Sequence, residues 1–272
     1  MTLRVRRLDP SDAAATQRLL DADLLRNVYL RSELRLGALR SGLWWGAFDG
    51  DAALQAVMVA GPLVVPWVPT ADGAAALAGQ LSRQAPPRMI VGPRDQAAAL
   101  QAARRPAPPP REVRDPQPLL VVGRGGLRAE GSERVRRGTR GDLDVLVRAS
   151  AAMHREEMGV DPLLLDPAGW RHRMTTLVDR GWSWVWMEDG DIIFKAELSA
   201  RTPEVAMVQG VWTAPSHRGR RVGTAGMAAT AAAVLAEVPQ CSLYVNHFNT
   251  IARRLYDRLG FQQAGELATY FF

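Results

Sequence analysis

Between residues 212 and 230 the chain reads WTAPSHRGRRVGTAGMAAT. Arg218, Arg220 and Arg221 alternate with Gly219 and Gly223, after an apolar run (EVAMVQGVWTA) and before a series of small helix formers. The first turn of a helix leaves amide N–H groups without internal partners, and the helix dipole adds partial positive charge at the same end. Glycines let a bulky anion approach the main chain and permit positive φ. Guanidinium groups beside such a turn make it a candidate cradle for a diphosphate. The plainer reading is a solvated loop ahead of an ordinary helix, because glycine-rich turns are common. No Gly-Lys-Ser/Thr follows, so this is not a P-loop. No acidic residue stands on a second strand at the distance a dinucleotide fold requires.

The elements that position this cluster follow from pattern. The chain has 272 residues, beyond the usual size of one domain, so two are expected. RLDPSDAAATQRLLDAD reads as a strand, a cap at Ser11 and an amphipathic helix. LWWGAFDGDAALQAVMVAGPLVVPWV reads as strand, turn at Asp49-Gly50, strand. GAAALAGQLSRQ and RDQAAALQAARR are helical and flank the strand RMIVG; PAPPP at 106–110 breaks the chain before the strand PLLVVGR. The polar, glycine-rich stretch after 124 lacks apolar period and reads as a linker over 125–140. Beyond it come a helix (LDVLVRASAAMHREEMG), a hairpin turning at Asp189-Gly190 and the strand 204–213. The Arg/Gly cluster, a helix, the strand CSLYVN, the helix TIARRLYDRLG and a final strand (GELATYFF) complete the chain. Both halves share this order, which points to a structural repeat, with the Arg/Gly cluster in the second half alone.

Composition excludes several classes. Apolar residues make up 47% of the chain, enough for packed cores, and no apolar run approaches a membrane span. MTLRVRRLDPSDAAA has no apolar h-region of a secretory signal. The single cysteine, Cys241, has no internal disulfide partner, and a cytoplasmic protein is expected. The net charge of +6 comes from arginine, with Lys195 the only lysine. Abundant Ala, Arg, Gly and Pro match a compositional bias better than nucleic-acid binding, for which no basic tail or aromatic-basic signature is present. His154, His172 and His247 lack ligand partners at usable spacing, so no metal is expected. The Trp182, Trp184, Trp186 alternation marks one strand face, either core or an apolar wall.

VWTAPSHRGRRVGTAGM resembles the acyl-CoA loop of the GNAT superfamily of N-acetyltransferases, Arg/Gln-x-x-Gly-x-Gly/Ala, with Arg221 in place of the middle glycine. YVNHFNTIARRLYDRLGF resembles a later segment of the same superfamily, matching at Asn249, Ala252, Tyr256, Gly260 and Phe261. The whole chain is similar to bacterial two-domain proteins that join an N-terminal domain to a C-terminal GNAT domain. The resemblance implies an α/β (α+β) fold of two tandem GNAT-like domains, each a mixed, largely antiparallel sheet flanked by helices. It places a degenerate domain over 1–124, the linker over 125–140 and the acetyltransferase domain over 141–272.

The implied activity is acetyl-CoA-dependent transfer of an acetyl group to an amine of a small molecule or protein, with another acyl-CoA open as donor. The other class open is a catalytically silent CoA-binding sensor or interaction module. By resemblance the cofactor lies against Val211, Trp212, Thr213, Arg218, Gly219, Arg220, Arg221, Val222, Gly223, Thr224, Asn249 and Ala252, with a main-chain N–H such as that of Val211 on the thioester carbonyl. Tyr256 is the expected proton donor to the leaving thiolate, although its helical face with Ala252, Leu255 and Leu259 also suits packing. Asn249 also suits a helix N-cap. Glu204 is a candidate base, one residue out of register and therefore on the opposite strand face. Glu197 is on the preceding strand, and a water chain is a further option. Glu156 and Glu157 are expected at the acceptor side, where either suits a cationic substrate or a plain surface charge. No membrane partner is expected, and a homodimer is left open.

Overall fold

The computed structural model describes residues 3–50, 53–105 and 107–272; Pro106 of the PAPPP break lies outside them. In chain order the first elements are β1 (Arg4–Arg7), α1 (Ala13–Leu20), α2 (Val28–Arg35), β2 (Trp44–Asp49), β3 (Ala53–Ala60), β4 (Leu63–Trp67), α3 (Ala71–Leu81), β5 (Met89–Pro93), α4 (Arg94–Ala103) and β6 (Glu112–Gly123). Then come β7 (Arg136–Arg137), α5 (Leu143–Met158), α6 (Pro162–Leu165), α7 (Pro167–Asp179), β8 (Ser183–Glu188), β9 (Asp191–Arg201) and β10 (Val205–Thr213). The last are α8 (Val222–Glu237), β11 (Gln240–Tyr244), α9 (Thr250–Arg258) and β12 (Gln262–Phe271).

The chain divides into two compact units. The first holds the chain up to Val121 together with Tyr244–Arg253 and Gln263–Phe272; the second holds Val122–Leu243 and Arg254–Gln262. In the first, β1 to β4 run antiparallel, and β5 joins β4 in parallel after the crossover helix α3. β12 then pairs antiparallel with β5 and lies between it and β6. In the second, β7 to β10 run antiparallel, and β11 joins β10 in parallel after α8. Each unit is thus a mixed sheet flanked by helices, built in the same order of strand directions. Leu20, Leu30, Trp44 and Val57 fill one core of the first unit; Met58, Leu77, Ile90 and Leu100 fill another. In the second unit Leu146, Ala149, Val185, Ile192 and Trp212 pack beneath α5.

The repeat is visible at each unit's entry. Arg-Val-Arg-Arg occurs at 4–7 and at 134–137, followed in both cases by an aspartate, Asp12 and Asp142. Arg6 donates twice to Asp12, at 2.7 and 2.7 Å; Arg136 donates twice to Asp142, at 2.7 and 2.8 Å. Each aspartate also accepts the backbone N–H three residues earlier, closing a capping box with Asp9 or Thr139. The Arg136 hydrogen bonds, reinforced by the Thr139 amide and hydroxyl, hold the Asp142 carboxyl well below the usual carboxylate range. Asp12 is lowered in the same way by Arg6.

Several sequence expectations change in detail. The first helix is introduced by the Asp9 cap rather than by Ser11. The apolar run 43–68 is three strands, because Gly61-Pro62 ends β3 and Leu63 starts β4. Residues 160–181, which carry no clear apolar period, form α6 and α7, each started by an aspartate that accepts a first-turn N–H. The 125–140 stretch is not a loose tether. Arg128 N–H donates to Leu259 O and Ser132 N–H donates to Ala225 O, and a Cβ on Gly131 would collide with the Ala229 backbone. Its glycines allow close approach to the small-residue face of α8, and β7 closes the segment against β8.

Candidate active site

The site is built where β10 passes into α8. β10 pairs with β11 only at Val205, Ala206 and Met207. From Val208 onward its edge toward β11 carries no ladder partner, so main-chain N–H and C=O groups are available there. On the β9 side the register shifts between Gln209 and Trp212, a bulge holding Gly210 (φ +59) and Val211. After Thr213 the chain makes a short 3-10 turn over Pro215–His217 and reaches Gly219, which has φ +76 and open space around its Cα. Arg221 then precedes α8 at φ +61. The resemblance put a glycine at that position; the arginine adopts the left-handed conformation a glycine favours, so the turn is kept and a charge is added.

No side chain caps the start of α8. A Cβ on Gly223, in its first turn, would lie 2.9 Å from Thr213 Oγ1. The equivalent turn of the first unit is closed by its own side chains. Thr70 Oγ1 accepts the Gly73 N–H at 3.1 Å at the start of α3, and the buried Gln96 Oε1 accepts the Val68 N–H at 2.6 Å beyond the end of β4.

Around the open turn, Arg220 and Arg221 are exposed. Arg218 is tied down: its Nε donates to Thr213 O at 3.0 Å, and its guanidinium pairs with Glu156 at 2.5 Å. Glu156 Oε1 also accepts the Trp212 indole N–H at 3.2 Å. Glu156, expected at the acceptor side, therefore links the end of α5 to the cradle. Tyr256 is buried on α9, with its ring edge-on to Phe261 at 5.7 Å. Burial, helped by the nearby charge of Glu157, raises its phenol well above the ordinary tyrosine range. Glu157 lies in the last turn of α5, so Tyr256 and the end of α5 share one electrostatic environment.

Asn249 and Ala252 belong to the Tyr244–Arg253 segment of the first unit, where Asn249 Oδ1 accepts the Ala252 N–H at 3.1 Å and caps α9. Glu204 is not brought to the cradle: it precedes Val205, at the opposite end of the nine-residue β10 from Thr213. Cys241 is fully buried, its thiol pushed up to about 12 by desolvation, as suits a core residue. Trp184 is core, with the Arg137 guanidinium over its ring at 4.9 Å. Among the described residues there is no group of three His, Cys, Asp or Glu able to hold a metal, and no helix is long and apolar enough to cross a membrane.

Sequence reasoning passed over Lys195. Its ammonium, wholly buried on β9, donates to Glu197 at 2.6 Å and to the carbonyl of Gly210 at 3.0 Å. The available signal was the lone lysine in an arginine-rich chain, two residues from a glutamate on a strand. On the same unit, a groove of about 480 Å³ lies beside Ala149, Ala152, Ile193 and Trp212, with Arg148 and Glu188 at its rim.

The sequence model of the acetyltransferase (GNAT) family matches residues 152–261. The C-terminal part of this chain is a GNAT domain. Ahead of this GNAT domain, residues 42–146 match a domain of unknown function (DUF4081). No curated protein matches the sequence significantly. Among solved structures, a GNAT-family acetyltransferase from Colwellia psychrerythraea is 12% identical at TM-score 0.65, with 99% of each chain covered. A tandem GNAT protein of the clavulanic acid biosynthesis pathway is 15% identical at TM-score 0.59, covering 99% of this chain and 98% of its own. A GCN5-related N-acetyltransferase from Sphaerobacter thermophilus is 17% identical at TM-score 0.58, covering 99% and 96%. At these identities the likeness concerns fold, and the fold is that of GNAT proteins, tandem forms included. The family and the fold support acyl-CoA-dependent acetyl transfer in general.

Proposed function

We propose that the chain transfers an acetyl group from acetyl-CoA to a primary amine of a small molecule or protein, using the second unit. One observation carries this reading. Of two equivalent strand-to-helix turns, the one before α3 is closed by Thr70 and Gln96, whereas the one before α8 has no side-chain cap and is ringed by arginines. A diphosphate fits that donor set: uncapped amides, a glycine facing open space and the guanidinium groups of Arg218, Arg220 and Arg221.

Acetyl-CoA bound there supplies an activated thioester. The chain's residues then have separate tasks. The amides of Val222, Gly223 and Thr224 and the three arginines hold negative charge. The bared edge of β10, with Val211, Trp212 and Thr213, offers main-chain groups to an amide-bearing arm, and the Val211 N–H polarises an acyl carbonyl. Burial disfavours the Tyr256 anion, so the phenol keeps its proton at neutral pH, and Tyr256 is assigned as the proton donor to the leaving thiolate. Asn249 spends its oxygen on the α9 cap. Glu157, at the end of α5, supplies the negative charge that attracts a cationic acceptor.

The position of Glu204, at the far end of β10, favours a second reading, a catalytically silent CoA sensor. Calorimetric titration with acetyl-CoA, followed by thiol release across a panel of primary amines, separates the two. The enzyme reading expects one acetyl-CoA per chain, binding abolished by Gly223→Trp, and amine-dependent thiol release. Binding without release selects the sensor, and absence of binding removes both.

A further inference from the structure

Lys195 is the chain's sole lysine; every other strongly basic side chain is arginine. A composition that supplies arginine wherever a positive charge suffices keeps a lysine where a compact point charge is required. Lys195 and Glu197, two residues apart on β9, project to the same face, and their side chains are 0% and 1% exposed. Glu197 Oε2 has no hydrogen-bond partner, and the Arg173 guanidinium stands 3.7 Å from it. Desolvating two charges is costly, and a buried pair with an unsatisfied oxygen contributes little to stability.

What the pair does fix is one peptide group. Lys195 Nζ donates to the Gly210 carbonyl at 3.0 Å, inside the bulge between Gln209 and Trp212. Gly210 has φ +59, and a Cβ there would lie 3.0 Å from Glu197 Oε2 and 3.1 Å from Lys195 Nζ, so the glycine leaves room for the pair. In a trans peptide the carbonyl of one residue and the N–H of the next lie in one plane and point in opposite directions. Holding the Gly210 carbonyl on Lys195 therefore aims the Val211 N–H away from the buried pair, and Val211 has no register partner on β9.

We propose that Lys195 and Glu197 are positioning residues that lock the Gly210–Val211 peptide, so that the Val211 N–H is preset as the donor to the acyl carbonyl. The proposal rests on the acetyltransferase reading above. It accounts together for the lone lysine, the buried glutamate, the positive φ of Gly210 and the bulge.

The test uses the full chain, acetyl-CoA labelled with ¹³C at the carbonyl, and hydroxylamine as a generic acceptor. In the wild-type protein the bound carbonyl band is expected below that of free acetyl-CoA. Lys195→Met/Glu197→Leu, which removes both charges together, is expected to fold and to bind acetyl-CoA with wild-type affinity. Its carbonyl band should return to the free position and its thiol release fall about 10²-fold, the effect of losing one oxyanion donor. If that variant does not fold, Gly210→Ala perturbs the same peptide with the pair in place and is expected to show the same loss of band shift. A wild-type band shift and rate in the folded variant overturn the proposal and leave the acetyltransferase reading standing. Binding without any shift in the wild-type protein also overturns it. If wild-type protein fails to bind acetyl-CoA, the functional reading falls first and the proposal with it.

Discussion

Arg221→Gly should make the protein more stable and a poorer ligand for CoA. Arg221 stands at φ +61, in the left-handed region, where an L side chain costs about 1–2 kcal/mol. Glycine removes that cost but gives back about 0.5–1 kcal/mol through the greater freedom of the unfolded chain. The net gain is about 0.5–1 kcal/mol, or roughly 1–4 °C in Tm at about 2–4 °C per kcal/mol. The opposite sign applies to binding, because the substitution takes an exposed guanidinium from the anion site. Solvent screening limits that loss to about 1 kcal/mol, roughly fivefold in Kd at low salt and less above ~0.15 M. Arg221→Ala separates the two effects: it loses the same affinity but keeps the strained φ, so its Tm should not rise. Scanning calorimetry without ligand and titration with acetyl-CoA at two ionic strengths read both quantities. A fall in Tm for Arg221→Gly, or unchanged low-salt affinity in both variants, would refute the reasoning.

Tyr256→Phe should lower turnover by about 10²–10⁴-fold with little change in acetyl-CoA affinity, and equal turnover would remove the phenol from proton donation. Because its ionisation is raised above the ordinary tyrosine range, a wild-type activity loss at alkaline pH should persist unshifted in any residual activity of the Phe variant. Glu156→Gln takes a carboxylate from beside Arg218 in an anion site; at about 1 kcal/mol for charges ~4 Å apart in water, acetyl-CoA should bind up to about fivefold tighter at low salt. Weaker binding in that variant would mean that the Glu156 link to Trp212 and Arg218 shapes the cradle more than its charge opposes the ligand. Asp142 has a depressed ionisation in the folded state, so its stabilisation is complete above the unfolded aspartate value near 4 and is lost as pH falls through the lower folded value. Asp142→Asn should therefore cost about 1 kcal/mol at neutral pH and flatten the acid limb of a stability–pH curve; parallel curves would exclude the Arg136 pair as its source.

The cradle was legible because its signal is local: arginines and glycines between a strand and an Ala-rich helix depend on near neighbours alone. β10, α8, α9 and the Asp189-Gly190 hairpin were legible for the same reason, each carrying its own period or turn residues. β7 was not, because a two-residue strand has no period, and its order comes from the Arg136–Asp142 pair. α6 and α7 were missed because aspartate caps rather than an apolar face define their starts. The roles of Glu156 and Lys195 depend on partners about 60 and 15 residues away, Arg218 and Gly210, and no spacing rule reports such meetings. The glycines of 125–140 gave the misleading signal: the same residue that loosens a tether permits close packing on α8.

The place of β12 has a consequence for biogenesis. It sits inside the first unit's sheet, between β5 and β6, although about 140 residues of chain separate it from β6. While a ribosome is still making the second unit, β5 and β6 wait with unpaired edges, open to misassociation. The first unit thus matures only after residues 262–271 have emerged, and a nascent chain halted before them would leave a gap in the middle of that sheet.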